Sequence, residues 1–197
     1  MAVLPIADNF PIEFPTGTTT TEGSVDIAVS STQGLAYVAG LSPTTGNTNI
    51  QNHIIDVRTG TFTTSPILES QPEGAIPSDE SKAIALFDDG QVSTPDKVYV
   101  VGNTRGDILS SSNLIVNNGA GAGRNDVFIL EYTPDGTSFG TPKAIQVAGT
   151  GSDIASDIAV DTNGNIYVVG KTTTDNVGGF DSFIAKFTPG QFQEIGA

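Results

Sequence analysis

The chain has 197 residues, with 22 Asp plus Glu against 8 Lys plus Arg, a formal net charge of −14 and no cysteine. That length allows one domain with a sizeable core, and 37% hydrophobic residues argue against a disordered polymer. The acidic excess repels phosphate backbones and anionic lipid, which argues against a nucleic-acid partner, and the missing cysteines exclude disulfides and thiolate chemistry.

Twenty-three Gly and 11 Pro, with abundant Thr, Ser and Asn, suit many short strands joined by turns. No stretch approaches a membrane span, so membrane insertion is not expected. The opening Met-Ala-Val-Leu-Pro-Ile-Ala-Asp lacks a basic region and an apolar run of signal-peptide length. Export by a route that needs no such signal, trimming from a longer protein and an intracellular chain all stay open.

Residues 1–23 contain Pro5, Pro11 and Pro15 and then a threonine run, which predicts an extended segment. Ile12-Glu13-Phe14 is its one strand-like stretch and reads as a closing strand. Three repeats follow, over 24–80, 81–155 and 156–197. Their first apolar runs contain Ile27 to Val29, Ile84 to Leu86 and Ile158 to Val160. Their second runs end in Gly40, Gly102 and Gly170. Both are continuous where a half-exposed strand would alternate, which predicts strands covered on both faces. Glycine at a fixed place in a strand marks a close backbone approach or a bend.

Asn163-Gly164 is a strong hairpin signal and makes the first two strands of the third repeat antiparallel neighbours. In the third runs, an ungapped alignment of 52–60 with 182–190 puts the only histidine, His53, in the slot of Phe183 and of Phe128 in the middle copy, a structural position. Phe62, Phe139 and Phe192 then open a fourth strand, completed in the first two repeats and truncated in the third. Each unit is thus a four-stranded antiparallel meander. The spacing of Gly40, Gly102 and Gly170 exceeds the roughly 40 to 50 residues of common propeller blades, and the excess lies in loops, above all 103–125.

Asp157-Ile-Ala-Val-Asp161, Gly164-Asn165-Ile-Tyr-Val-Val-Gly170 and Asp181-Ser-Phe-Ile-Ala-Lys186 resemble the bacterial SBBP β-propeller repeat, best over 156–190. The resemblance implies propeller-like blades around an axis and an extracellular or cell-surface setting, and it implies no catalytic residues. Three blades do not close a propeller. The fold class is therefore all-β, three propeller-like blade units, incomplete or completed by another chain.

No side-chain constellation points to catalysis. One His in a core-like slot supports no Ser-His-Asp set, and Gly119 to Gly123 lack the Lys and Ser/Thr of a phosphate loop. Asp161, Asn163 and Asn165 place oxygens at alternate positions, as a calcium loop begins, but lack the later bidentate Glu; a plain turn is the competing reading. Asp79, Glu80, Asp88, Asp89 and Asp96 form the densest acidic stretch, read as solvation in preference to a divalent-ion site. Asp126 and Asp181 suit a structural hydrogen bond at a strand end. No cofactor is expected beyond that calcium alternative.

The sequence thus supports a non-enzymatic scaffold for protein or glycan contact. The alternatives are a structural subunit of a filament, sheath or virion, self-associating through strand edges, and a propeller enzyme such as a lactonase, lyase or glycosidase. The core expected for the third unit is Ile158, Val160, Tyr167, Val169, Phe183 and Phe187.

Overall fold

A computed structural model describes residues 23–44, 47–50, 53–56, 62–64, 79–105, 116–117, 125–135, 138–140, 142–148, 151–173 and 179–194. The expected closing strand at Ile12-Glu13-Phe14 and the glycine-rich part of the 103–125 loop lie outside them. Three β-sheets follow one another along the chain. The first holds β1 (Gly23–Ser30), β2 (Leu35–Thr44), β4 (His53–Asp56) and β5 (Phe62–Thr64) in that order, with β3 (Asn47–Ile50) also paired to β2. The second runs β6 (Glu80–Phe87), β7 (Lys97–Thr104), β9 (Asp126–Tyr132) and β10 (Lys143–Ala148), with the short β8 (Val116–Asn117) parallel to β10. The third holds β11 (Asp153–Val160), β12 (Ile166–Thr172) and β13 (Asp181–Phe187). The first two sheets are therefore the up-and-down four-stranded meanders that the recurring runs predict.

A shared device sets the register in every sheet. The first strand carries a bulge between Ser24 and Asp26, Ser81 and Ala83, or Ala155 and Asp157. Beside it on the second strand stands the recurring glycine, Gly40, Gly102 or Gly170. The extra residue bends the strand locally, and a neighbour without a side chain leaves room for the bend. Gly34 and Gly164 close the first hairpins of the outer units at φ of 69° and 78°, a left-handed conformation that costs glycine little.

The sheets stack with one polarity. Ala28, Leu35, Tyr37 and Ala39 of the first face Ile84, Leu86, Val98, Val100, Phe128 and Leu130 of the second. The other side of the second sheet, with Ala83, Ala85, Tyr99 and Val101, faces Ile158, Val160, Ile166, Val168 and Phe187 of the third. Pairing registers make Tyr37, Tyr99 and Tyr167 equivalent, and likewise Ile27, Ile84 and Ile158. Each internal interface thus joins the tyrosine face of one sheet to the isoleucine face of the next.

This arrangement corrects the expectation that every strand is covered on both faces. The middle sheet is: β9 is buried at every residue. The outer sheets each turn one face away from their neighbour, so Val169 of the expected core is 40% exposed and Ile184 72%. Tyr167 and Phe183 are half-buried, whereas Ile158 and Phe187 are buried. Continuous apolar text shows that a strand can be covered twice, and the end of a stack supplies only one cover.

Two further placements differ from the sequence reading. His53 pairs with Val38, the position held by Leu130 opposite Val100 and by Ala185 opposite Val168. It is two residues away from the phenylalanine slot opposite Gly102 and Gly170. The reason is the pairing of β3, which sets Thr44 opposite Asn47 and Leu41 opposite Ile50, a register that continues to Val38 and His53. The strand opened by Phe192, β14 (Gln193–Glu194), leaves the third sheet and pairs with Lys143 and Ala144 of β10. A 3₁₀ turn at Pro189–Gln191 redirects the chain, and Phe192 is held in the core 5.6 Å from the Tyr99 ring.

Candidate functional site

The most polar inter-sheet contact lies at the hairpin end of the first two sheets. The turn between β1 and β2 meets the longer loop between β6 and β7, enclosing a cleft of about 190 Å³ lined by Gln33, Leu35, Tyr37, Val92, Thr94 and Asp96 among others. Tyr37 is buried on the tyrosine face and donates its hydroxyl to Asp96 Oδ2 at 2.9 Å. Ser30 donates to Asp88 Oδ2 at 3.3 Å. Gln33 reaches across with its amide to the carbonyl of Thr94 at 3.0 Å. The two hairpins are thereby tied by side chains from residues far apart in sequence.

The charges in the cleft differ in state. Burial raises the Asp96 carboxyl above its ordinary 3.8 and outweighs the Ser30 and Tyr37 hydroxyls, while Asp88 and Asp89 repel its charge further. Burial, then the bond to Asp96 and the charges of Asp96 and Asp88, push the Tyr37 phenol far above its ordinary 10.0. Asp88 loses some hydration, but the Gly90 amide, the Thr32 hydroxyl, the Ser30 hydroxyl and the Thr32 amide together hold it below 3.8. An acid of raised pKa beside a phenol can hold a proton. Asp88, held in its charged form, and the Ser30 hydroxyl stand beside it, bonded to each other at 3.3 Å.

The acidic stretch is therefore split by the fold. Asp79 is buried at the start of β6, and Glu80 pairs with Lys82 at 2.6 Å on the surface. Asp89 accepts from the Gln91 amide at 2.8 Å and the Thr94 hydroxyl at 2.6 Å. These are turn-forming bonds that compete well with water. Among the described residues, no group of three or more His, Cys, Asp or Glu is placed to hold a metal ion.

Asp161, Asn163 and Asn165 meet in the hairpin between β11 and β12. Asp161 Oδ1 accepts from the backbone amides of Asn163 and Asn165, each at 2.9 Å. Its Oδ2 accepts from Asn165 Nδ2 at 2.8 Å and the Tyr167 hydroxyl at 3.1 Å. The Asn165 side chain first, against an opposing loss of hydration, and then the Asn165 and Asn163 amides and Tyr167 hold this carboxyl at about 2. Each oxygen of this carboxylate thus accepts two hydrogen bonds from the turn.

Asp126 is buried at the start of β9 and accepts from Gln146 Nε2 at 3.4 Å, while Asp181 at the start of β13 is exposed. Sequence reasoning missed two residues that join sheets. Asp26 Oδ1 accepts from its own neighbour Ile27, and its Oδ2 accepts from the Ile84 amide of the second sheet at 3.0 Å. Asn103 Oδ1 accepts from the Ala155 amide of the third sheet at 2.8 Å. Neither contact has a signal in the sequence, because they join residues 58 and 52 positions apart through the stacking of sheets.

The architecture is that of an all-β chain of stacked, bulged antiparallel meanders, the form of propeller blades. Residues 143–176 match the SBBP family model, described as a beta-propeller repeat, and this segment carries such a repeat. No curated protein matches the chain. The matched segment starts with β10 and continues through β11 and β12, so the family's sequence unit joins the outer strand of one sheet to the first two strands of the next. It overlaps the 156–190 stretch that carries the resemblance in sequence. Among the described residues, no helix is long and apolar enough to cross a membrane.

Proposed function

We propose that this is a non-enzymatic β-propeller-type repeat module, a scaffold for protein or glycan contact on a secreted or surface structure. The observation that carries this reading is the use made of the carboxylates. Asp26, Asp88, Asp89, Asp96 and Asp161 accept from turn amides, hydroxyls and a neighbouring sheet. Their bonds fix hairpins relative to one another and leave the exposed loop at 91–95 presented at the cleft mouth. Loops on a rigid frame are where contact function commonly sits. The test is turnover on a broad panel of glycoside, lactone and ester substrates. The expected result is none above buffer; turnover abolished by Asp96→Asn in a folded variant overturns the reading in favour of a propeller enzyme.

A second reading, a structural subunit completed by strand pairing between chains, is favoured by β13. Among the described residues it pairs on one side only, with β12, and an edge strand of this length is a template for another strand. Proline at an outward-facing amide of β13 should abolish any self-association that uses this edge.

A further inference from the structure

From the polarity of the stack we infer that this chain binds a second copy of itself face to face and head to tail, the isoleucine face of the first sheet of one copy seating on the tyrosine face of the third sheet of the other. This goes beyond both readings above, because it uses sheet faces and not strand edges. The chain makes this type of interface twice internally, and among the described residues no further sheet packs on the isoleucine face of the first sheet or the tyrosine face of the third.

The exposed apolar residues fall where the inference requires them. On the first sheet, Ile27 and Val29 are 57% and 58% exposed. They occupy the positions that Ile84 and Leu86 fill in the core between the first and second sheets. On the third sheet, Val169 and Ala159 are exposed, in the positions that Val101 and Ala85 fill in the core between the second and third. Val38 and Ala36, paired with Ile27 and Val29 on the same face, are already buried, so the open part of the first sheet's face is the β1 side; exposed apolar side chains at interface positions mark a contact surface.

The polar parts agree. Asp157 stands where Asp26 stands, at the bulge, and repeats its bond to the next residue: Asp157 Oδ1 accepts from the Ile158 amide at 2.8 Å, as Asp26 Oδ1 does from Ile27. The other oxygen of Asp26 reaches the Ile84 amide of the adjoining sheet. Asp157 is exposed on the outer face of the third sheet. Lys171 and Lys186 also lie on this outer face, over Phe180 and Tyr167 respectively. They are two of only 8 basic residues in a chain of net charge −14, so this face offers positive charge to an acidic second copy.

Such a contact is heterologous: it uses two different patches and closes into a ring or continues as a filament. The experiment is sedimentation velocity over a concentration series on the full chain, on Ile27→Arg, on Val169→Arg and on an equimolar mixture of the two variants. Wild type should associate reversibly, more strongly as salt screens the net charge. Each variant should lose association by at least about tenfold in apparent Kd. The mixture should form a heterodimer and stop there, because each variant keeps one intact face. If either arginine variant fails to fold, Ile27→Thr and Val169→Thr make the same comparison. A wild-type monomer throughout, variants that associate like wild type, or a mixture that stays monomeric overturns the inference. Val169 is on the central strand β12, so its substitution leaves edge pairing intact, and association that survives it belongs to the strand-edge reading.

Discussion

Phe128 lies against Gly102, its partner in the β7–β9 register, so closely that a Cβ on the glycine would overlap the ring and the carbonyl oxygen of Glu80. Gly170 has the same relation to Phe183 and to the Ile154 carbonyl. The glycine therefore does two things at once: it receives an aromatic ring across the strand and it lets the bulged first strand approach. The backbone carbonyl cannot yield without breaking the ladder. Gly102→Ala should cost about 1–3 kcal/mol in urea unfolding, the range of overpacked cores, and Gly170→Ala should behave alike. Gly179→Ala, with nothing within 4 Å, should stay within about 0.5 kcal/mol. Equal effects at all three positions would show that the close approach is not structural.

Burial separates residues that the sequence groups together. Phe128 is fully buried between the first and second sheets, and Phe128→Ala should cost about 3–5 kcal/mol. Val169 belongs to the same kind of apolar run but faces away from the stack. Val169→Ala should change the stability of the monomer by no more than about 0.5 kcal/mol. Chemical denaturation at a concentration where the chain is monomeric makes the comparison. A large cost at Val169 there would mean that its face is covered within one chain.

Those two positions also show what the sequence could convey. Strand text, the turn glycines Gly34 and Gly164 and the recurring Gly40, Gly102 and Gly170 report local geometry, so the meanders were legible. The outward face of Val169 was not, because coverage depends on how many sheets the stack contains. His53 was assigned to the phenylalanine slot because apolar text was aligned without regard to the short turn after Thr44, which moves the register by two residues. Phe192 opens a short strand as its text predicts, but that strand joins β10 of the second sheet and the ring is buried beside Tyr99, tertiary contacts that local pattern does not encode.

Asp26 is a contact of the same hidden kind, joining residues 58 apart. Asp26→Ala removes the acceptor of the Ile84 amide, and Ile84 is 6% exposed. An amide left unpaired in such a place costs about 1–3 kcal/mol. Asp26→Asn keeps one carbonyl oxygen and so one of the two bonds, and should fall between wild type and Asp26→Ala. Hydrogen exchange supplies the independent readout, with the Ile84 amide losing protection in Asp26→Ala while amides of β12 keep theirs. Unchanged protection at Ile84 would place its hydrogen bond elsewhere.

Two carboxylates should give the stability–pH profile opposite contributions. Asp161 is held at about 2 in the folded state against 3.8 unfolded, so its hydrogen bonds stabilise the fold fully above pH 3.8 and lose that effect as pH falls toward 2. Asn in its place keeps an acceptor for the two amides but turns an NH₂ toward the Asn165 amide and the Tyr167 hydroxyl. Asp161→Asn should therefore be less stable than wild type above pH 3.8, with the gap narrowing on acidification. Asp96 has the reverse sign: its folded value lies above 3.8, so the native state binds the extra proton and ionisation opposes folding as pH rises through that raised value. Asp96→Asn, still able to accept from Tyr37, should gain stability relative to wild type over that rise and match it below pH 3.8. Unfolding curves from pH 2 to neutrality test both signs. Parallel profiles for wild type and Asp96→Asn would mean that Asp96 ionises in the cleft at no cost to the fold.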